Sequence, residues 1–378
     1  MPVRNLSPVL PRRRDVLGLM ALTLVGGGLS MHPAMADIAL KDVTGREVTL
    51  AKPASRIVIG DGRFLLALAL VHPDPVSLVA GWPRDINRLG RSAYEAWQKK
   101  FPAINDIPQT SAANAAISVE RIIAAKPDLA LFSLGATPSD EERARLEAAG
   151  IPVAVVDFFV KPLDNMEASL RLIGAAVGRE AQAEAFIAFR RQHFDVVRSR
   201  VATLPPEKKP RLFFEAHAAM TADCCNSPGR GNIGEVIAAV GATNIGASVI
   251  SGAFGKLNLE YVIAQDPQVY VATGGSHMEG TAGLLIGPEY SAERARETLA
   301  GLIKRPGFDG MSAVRNHRVY GLAHQMLNSP LDVLTLEVLA RWAHPELFAD
   351  LDPDATLAEI NARFLAVPVA GPNWIALD

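Results

Sequence analysis

From residue 118 the chain reads polar, apolar, Glu, any residue, two apolars, Ala, two residues, Pro, and then an alternating apolar run. The same pattern returns at residue 258. The two stretches are Ser118-Val-Glu-Arg-Ile-Ile-Ala-Ala-Lys-Pro-Asp-Leu-Ala-Leu-Phe132 and Asn258-Leu-Glu-Tyr-Val-Ile-Ala-Gln-Asp-Pro-Gln-Val-Tyr-Val-Ala272, which place Glu120 and Glu260 at the same position, 140 residues apart. That period is too long for a solenoid and predicts two lobes of related build. Ser118 and Asn258 are of the type that caps a helix by accepting an orphaned backbone N–H, and each Glu sits in the first turn, where the helix dipole favours an anion. Ile122, Ile123, Val262 and Ile263 are the expected buried stripe. Pro127 and Pro267 are expected to end each helix after about nine residues, because Pro disfavours helix before it. Each unit thus predicts a short helix, a tight turn and a buried strand.

The same alternation continues on both sides. Asp37–Leu50 alternates around Thr44-Gly45-Arg46 as a hairpin does. Strands are expected at Arg56–Ile59, Ser77–Ala80, Val153–Val156, Leu212–Phe214 and Arg318–Tyr320. Helices are expected at Arg63–Val71, Arg91–Lys100, Ser139–Ala149, Ile233–Val240, Ala292–Ile303, Leu331–Trp342 and Thr356–Phe364. Strand alternating with helix indicates an α/β fold with mostly parallel sheets. Between the two halves, Asn165–Leu204 has no strand signal, and Phe186, Phe189, His193, Val197 and Val201 share one helical face. This predicts one helix of about 25 residues from Arg179 to Thr203, ended by Pro205-Pro206 and long enough to act as a strut. The expected fold class is therefore α/β, two lobes with mostly parallel sheets joined by one long α-helix. The corresponding segments are 37–178, 179–204 and 205–378.

Residues 1–36 obey a different rule. Arg12, Arg13 and Arg14 precede an apolar run from Val16 to Leu29, and Ala34-Met-Ala36 supplies small residues for cleavage. This is the pattern of a secretory signal peptide, and Arg13-Arg14 gives it a twin-arginine character. Removing it takes away four of 38 basic residues and one of 40 acidic ones, leaving 34 against 39, a net charge of −5. An exported acidic chain is a poor nucleic-acid partner, so a soluble periplasmic protein, expected to be monomeric, is the reading. The composition, 49% hydrophobic and 21% charged, is that of a globular protein. G-x-S-x-G, H-E-x-x-H and Cys-x-x-Cys motifs are all absent, and nothing in the sequence asks for an enzyme. Gly229-Arg-Gly-Asn-Ile-Gly234 matches G-x-G-x-x-G literally, but a Cys-Cys-Asn-Ser-Pro loop precedes it where a dinucleotide site needs a strand.

With these residues in view, the chain resembles the periplasmic substrate-binding proteins of ABC importers for iron–siderophore complexes, haem and vitamin B12, the subclass whose lobes are bridged by one long helix. The resemblance rests on Asp42-Val-Thr-Gly-Arg46, Arg56-Ile-Val58, both Glu-to-Pro units, the mid-chain helix and Asn328-Ser-Pro330. It implies that Glu120 and Glu260 dock arginines of an inner-membrane permease. It also implies a small-molecule metal chelate as cargo, a ferric siderophore first and haem or cobalamin as alternatives. No resident cofactor or metal site is implied. A non-transporting interaction subunit of the same fold is a further alternative.

Ligands of open α/β sheets lie beyond the carboxyl ends of the strands. Because siderophores are commonly anionic, Arg63, Arg84, Arg88, Arg91 and Arg230 in such loops are the candidate contacts, since Arg is a forked donor suited to carboxylates and catecholates. Trp82 and Tyr94 are candidates for stacking on a chelate face. His217, His277 and His324 also fall in these loops, with no close-set ligand spacing; for haem, His217, His277, Met278 and Tyr94 are the axial candidates. Cys224 and Cys225 are adjacent, either a vicinal disulfide or free thiols. A bridge between neighbours is short of the usual Cα separation, while free thiols are uncomfortable in an oxidising compartment.

Overall fold

The computed structural model describes residues 37–86, 90–111, 118–221 and 224–377. Residues 1–36, where the signal peptide is expected, and Arg88 lie outside the described residues. Thirteen strands are described. The first two, β1 (Ile38–Lys41) and β2 (Glu47–Leu50), form the expected antiparallel hairpin, with Ile38 opposite Leu50. Asp42 closes its turn by accepting from the backbone and hydroxyl of Thr44 and the backbone of Arg46. The other carboxylate oxygen of Asp42 takes the N–H of Val155, which fastens the hairpin to the first sheet.

That sheet contains β3 (Ile57–Ile59), β4 (Val79–Gly81), β5 (Leu129–Ser133) and β6 (Val153–Val156) in the order β4-β3-β5-β6, all parallel. The second contains β7 (Arg211–Glu215), β9 (Thr243–Asn244), β11 (Val269–Gly274), β12 (Val319–Ala323) and β13 (Trp374–Leu377). Its order is β13-β12-β11-β7-β9, parallel except for β13, which runs against β12. β8 (Asn226–Pro228) and β10 (Phe254–Lys256) make a separate antiparallel ribbon. The fold is thus α/β, two lobes with mostly parallel sheets joined by one long helix, Glu180–Val201. The sequence reading missed β8, β9, β10 and β13. β8, β9 and β10 are two or three residues long and hold no apolar run, Asn-Ser-Pro, Thr-Asn and Phe-Gly-Lys, and β13 lies in a Pro- and Gly-containing tail.

The two repeated units fold alike down to their turns. Ser118 accepts from the N–H of Arg121 at 3.4 Å, and Asn258 from that of Tyr261 at 2.7 Å. The helices, Val119–Ala124 and Leu259–Gln265, are shorter than expected because the residue before each Pro turns left-handed, Lys126 at φ 49° and Asp266 at φ 42°. An arginine clamps the frayed carbonyls in both lobes. Arg56 donates to the carbonyls of Ala125 and Lys126 at 2.7 and 3.1 Å, and Arg211 to those of Gln265 and Asp266 at 2.6 and 3.1 Å. Ile122 and Val262 are buried as expected. Ile123 and Ile263 are not: they are 37% and 39% exposed, because so short a helix buries a narrower stripe.

The long helix packs on helix Pro162–Ala176 on the N-terminal side and on helix Asp332–Ala343 on the C-terminal side. Its buried Arg190 makes a two-pronged bond to Asp332, at 2.8 and 2.6 Å, and lies 3.6 Å from Glu167. Its guanidinium also stacks 3.9 Å over the ring of Phe194. One side chain thus ties the strut to elements from both halves. Asp332→Ala strands a buried cation, a loss of about 3–5 kcal/mol, whereas the double replacement Arg190→Met with Asp332→Leu is expected to recover most of it. Urea denaturation of the three proteins checks this.

Candidate functional site

β7, β11 and β12 are parallel neighbours, so their carboxyl ends open on one edge. His217 lies two residues past β7, His277 three past β11, and His324 directly after β12. Three histidines far apart in sequence therefore meet. His217 Nδ1 lies 2.7 Å from His277 Nε2, and its ring is tilted over that of His324 with centroids 3.7 Å apart. Thr273, in β11, fixes two of them: its hydroxyl accepts from the backbone N–H of His217 at 2.9 Å and lies 2.9 Å from His324 Nδ1.

The opposite wall comes from the first lobe. Arg63 is reached from β3 through Gly60-Asp-Gly62, and its guanidinium pairs with Asp61 through bonds of 2.9 and 2.5 Å. Gly62 is required there because any Cβ would fall 2.4 Å from the Asp85 carboxylate, which accepts the Gly62 N–H at 2.7 Å. Phe159, beyond β6, stacks on Phe254 of β10 with centroids 6.3 Å apart and planes 14° apart. Beside this stack, Asn232 donates to the carbonyls of Phe159 and Val160 at 2.6 and 3.2 Å and joins the lobes. Between the walls lies a cavity of 390 Å³ lined by Arg63, Phe159, Ala216, His217, Asn226, Phe254 and His324.

Burial sets the charge of the histidines. The His217 pKa is pushed down to about 4, by desolvation first and by His277 second. Burial also lowers His277. It lowers His324 well below the ordinary value, with His217, His277 and Arg63 adding to the effect. At neutral pH all three are neutral imidazoles, the form that binds metals. The buried Glu215 below them is held by Arg305 at 2.8 and 2.6 Å and by the Tyr270 hydroxyl at 2.5 Å. Cys224 and Cys225 are joined as a vicinal disulfide. Ligand atoms of Glu215, Cys224 and Cys225 lie within 4.8 Å of one another. The carboxylate is already bonded and the sulfurs are joined to each other, so this group is not an open metal site.

Of the residues singled out by sequence, Arg63, His217 and His324 line the cavity, and His277 contacts His217. The others are placed elsewhere. Trp82 is fully buried, its ring 6.4 Å from that of the half-buried Tyr94, so the indole has no face to offer a ligand. Arg84 braces a loop through the carbonyls of Asn105 and Ile107. Arg230 donates to the carbonyl of Ala247. Arg91 lies 3.6 Å from Glu279 of the other lobe and does not line the cavity. Gly229 and Gly234 of the glycine motif pack on backbone carbonyls, with a hypothetical Cβ at 2.1 Å in each case, so packing explains them. Phe159, Asn226 and Phe254 were missed: Asn226 and Phe254 lie within the unrecognised short strands β8 and β10, whereas Phe159 stands three residues past the expected strand β6, in a strand-end loop that the sequence reading did not single out. On the outer surface, Glu120 bonds Arg145 at 2.6 Å, which lowers its pKa, and Glu260 occupies the matching place on the other lobe.

A family model described as periplasmic binding protein matches residues 68–326. The chain is similar to the crystal structure of the TroA-like periplasmic binding protein FepB of Veillonella parvula, 25% identical at a TM-score of 0.81, covering 90% of this chain and 100% of that one. In fold it is also similar to the molybdate-binding protein MolA of Haemophilus influenzae, 17% identical at 0.67, covering 88% and 99%. A periplasmic haem-binding protein of Pseudomonas aeruginosa is 21% identical at 0.54, covering 78% and 94%. No curated protein matches. Among the described residues no helix is long and apolar enough to cross a membrane.

The histidine cluster fixes a pH dependence. Between pH about 4 and 6.5 the unfolded chain holds a proton on His217 that the folded chain refuses. Stability therefore rises with pH across that window, is complete above about 6.5, and declines as pH falls toward 4. Urea midpoints measured from pH 4 to 7 should show this decline, and His217→Asn should make it shallower.

Proposed function

The chain belongs to the periplasmic binding protein family, and from that premise we propose that it captures a ferric siderophore-type chelate between its lobes and delivers it to the permease of an ABC importer. Binding proteins of this family hold small-molecule cargo and work with ABC transporter permeases. The observation that carries the finer reading is the histidine cluster on one wall of the interlobe cavity, faced by Arg63 on the other. Neutral imidazoles are ligands for iron and its neighbours, and they complete the coordination of a metal whose chelator leaves a position open. Arg63 supplies positive charge against an anionic chelator, partly offset by Asp61. The Phe159–Phe254 stack offers an apolar edge. At 390 Å³ the cavity is at the compact end of small-molecule pockets, about 300–1,000 Å³.

Haem is the second reading, favoured by the same histidines, any of which can serve as an axial ligand. Residues 1–36 are read as an export signal of twin-arginine character, which supports a periplasmic location.

In delivery, Glu120 and Glu260 are read as the docking pair, two anions on the outer surface of different lobes. Such pairs orient and speed encounter more than they strengthen binding. The double variant Glu120→Ala with Glu260→Ala is expected to bind cargo as the wild type does and to abolish uptake. Normal uptake by cells carrying only that variant would refute the docking assignment.

A further inference from the structure

Among the described residues four large hydrophobic side chains are exposed: Ile123, Met220, Val249 and Ile263. Single exposed apolar residues are ordinary. Two of these four, however, occupy the same position of the repeated unit, three residues after Glu120 and three after Glu260. Residues three apart share a helix face, so each lobe shows an isoleucine beside its glutamate. The fold does not need these isoleucines inside, because the adjacent Ile122 and Val262 already anchor both helices in the core. The arginine clamps and left-handed turns hold both helices in one geometry, so the two faces are presented alike.

We propose that an isoleucine completes each docking anion, so that each lobe carries a two-part unit, Glu120 with Ile123 and Glu260 with Ile263, and that the permease offers an apolar socket beside the basic group that meets each glutamate. The proposal rests on the transport reading and deepens it. Charge complementarity specifies the basic group. The duplication asks for the socket twice, once for each lobe. The parts have different tasks: exposed anions steer association, and apolar contacts buried at the centre of an interface slow dissociation. The two copies also start from different states. Glu120 is paired with Arg145 of its own lobe and must exchange that partner for the permease's, whereas Glu260 makes no ion pair among the described residues.

The test uses cargo-loaded mature protein and its ABC importer reconstituted in lipid nanodiscs, with binding kinetics measured over a salt series. Ile123→Ser with Ile263→Ser should weaken docking at least about tenfold, through faster dissociation, with an unchanged salt slope. Ile123→Val with Ile263→Val should restore it to within about threefold. Glu120→Gln with Glu260→Gln should instead slow association and flatten the salt slope. Melting temperature and cargo affinity of the serine variant, unchanged from wild type, show that its fold is intact. Wild-type docking by the serine variant, alongside slowed association in the glutamine variant, overturns the isoleucine proposal and leaves the transport reading standing. Failure of the wild type itself to dock removes the transport reading and the proposal together.

Discussion

The whole arrangement depends on one constraint of parallel sheets: neighbouring strands end at the same edge. Side chains just past those ends are neighbours in space however far apart they stand in the chain. β7, β11 and β12 lie side by side, and each leads into a histidine within three residues of its end. On the other lobe β3 and β6 deliver Arg63 and Phe159 by the same rule. The cleft is where two such edges face each other. The Arg190 contacts with Glu167 and Asp332 keep the strut fixed against both halves.

Environment then decides what the gathered side chains can do. Three imidazoles in contact would repel if charged, and partial burial adds a desolvation cost to each charge. Both effects favour the neutral form. A cluster of neutral nitrogen donors suits a metal-centred ligand, and it suits a bare anion poorly. Most of the arginines are occupied elsewhere: Arg84 and Arg230 bond backbone carbonyls, and Arg91 lies near Glu279. The site is therefore built more from imidazole than from guanidinium, which shifts the emphasis from the chelator's charge to its metal.

Much of this was legible in the sequence. The repeated Glu-to-Pro unit foretold two related lobes, the apolar face around Phe186 and Val197 foretold the connecting helix, and the strand-end rule placed the three histidines in the right loops. Strand order was not legible, and it alone makes β7, β11 and β12 adjacent, so the histidines read as scattered. Trp82 misled because an aromatic in a Gly- and Pro-flanked loop looks available, whereas the fold buries it fully. Ile123 and Ile263 read as core because helical periodicity assumes longer helices than the left-handed turns at Lys126 and Asp266 permit. Phe159 was within reach of the strand-end rule, three residues past β6, whereas Phe254 lies in a three-residue strand that carries no signal of its own.

The central claim is that a metal-centred small molecule binds at the histidine cluster. Calorimetric titration of the mature protein with ferric siderophores, haemin and cobalamin tests it directly, run in parallel on His217→Ala and His324→Ala. Calorimetry is preferable to tryptophan fluorescence because Trp82, the indole that the sequence places near the ligand, is buried. The account predicts saturation by a ferric chelate at micromolar concentration or below, about −8 kcal/mol, weakened at least about tenfold in either histidine variant. Binding of equal strength in the wild type and both variants, or no binding of any metal-centred ligand, would contradict it.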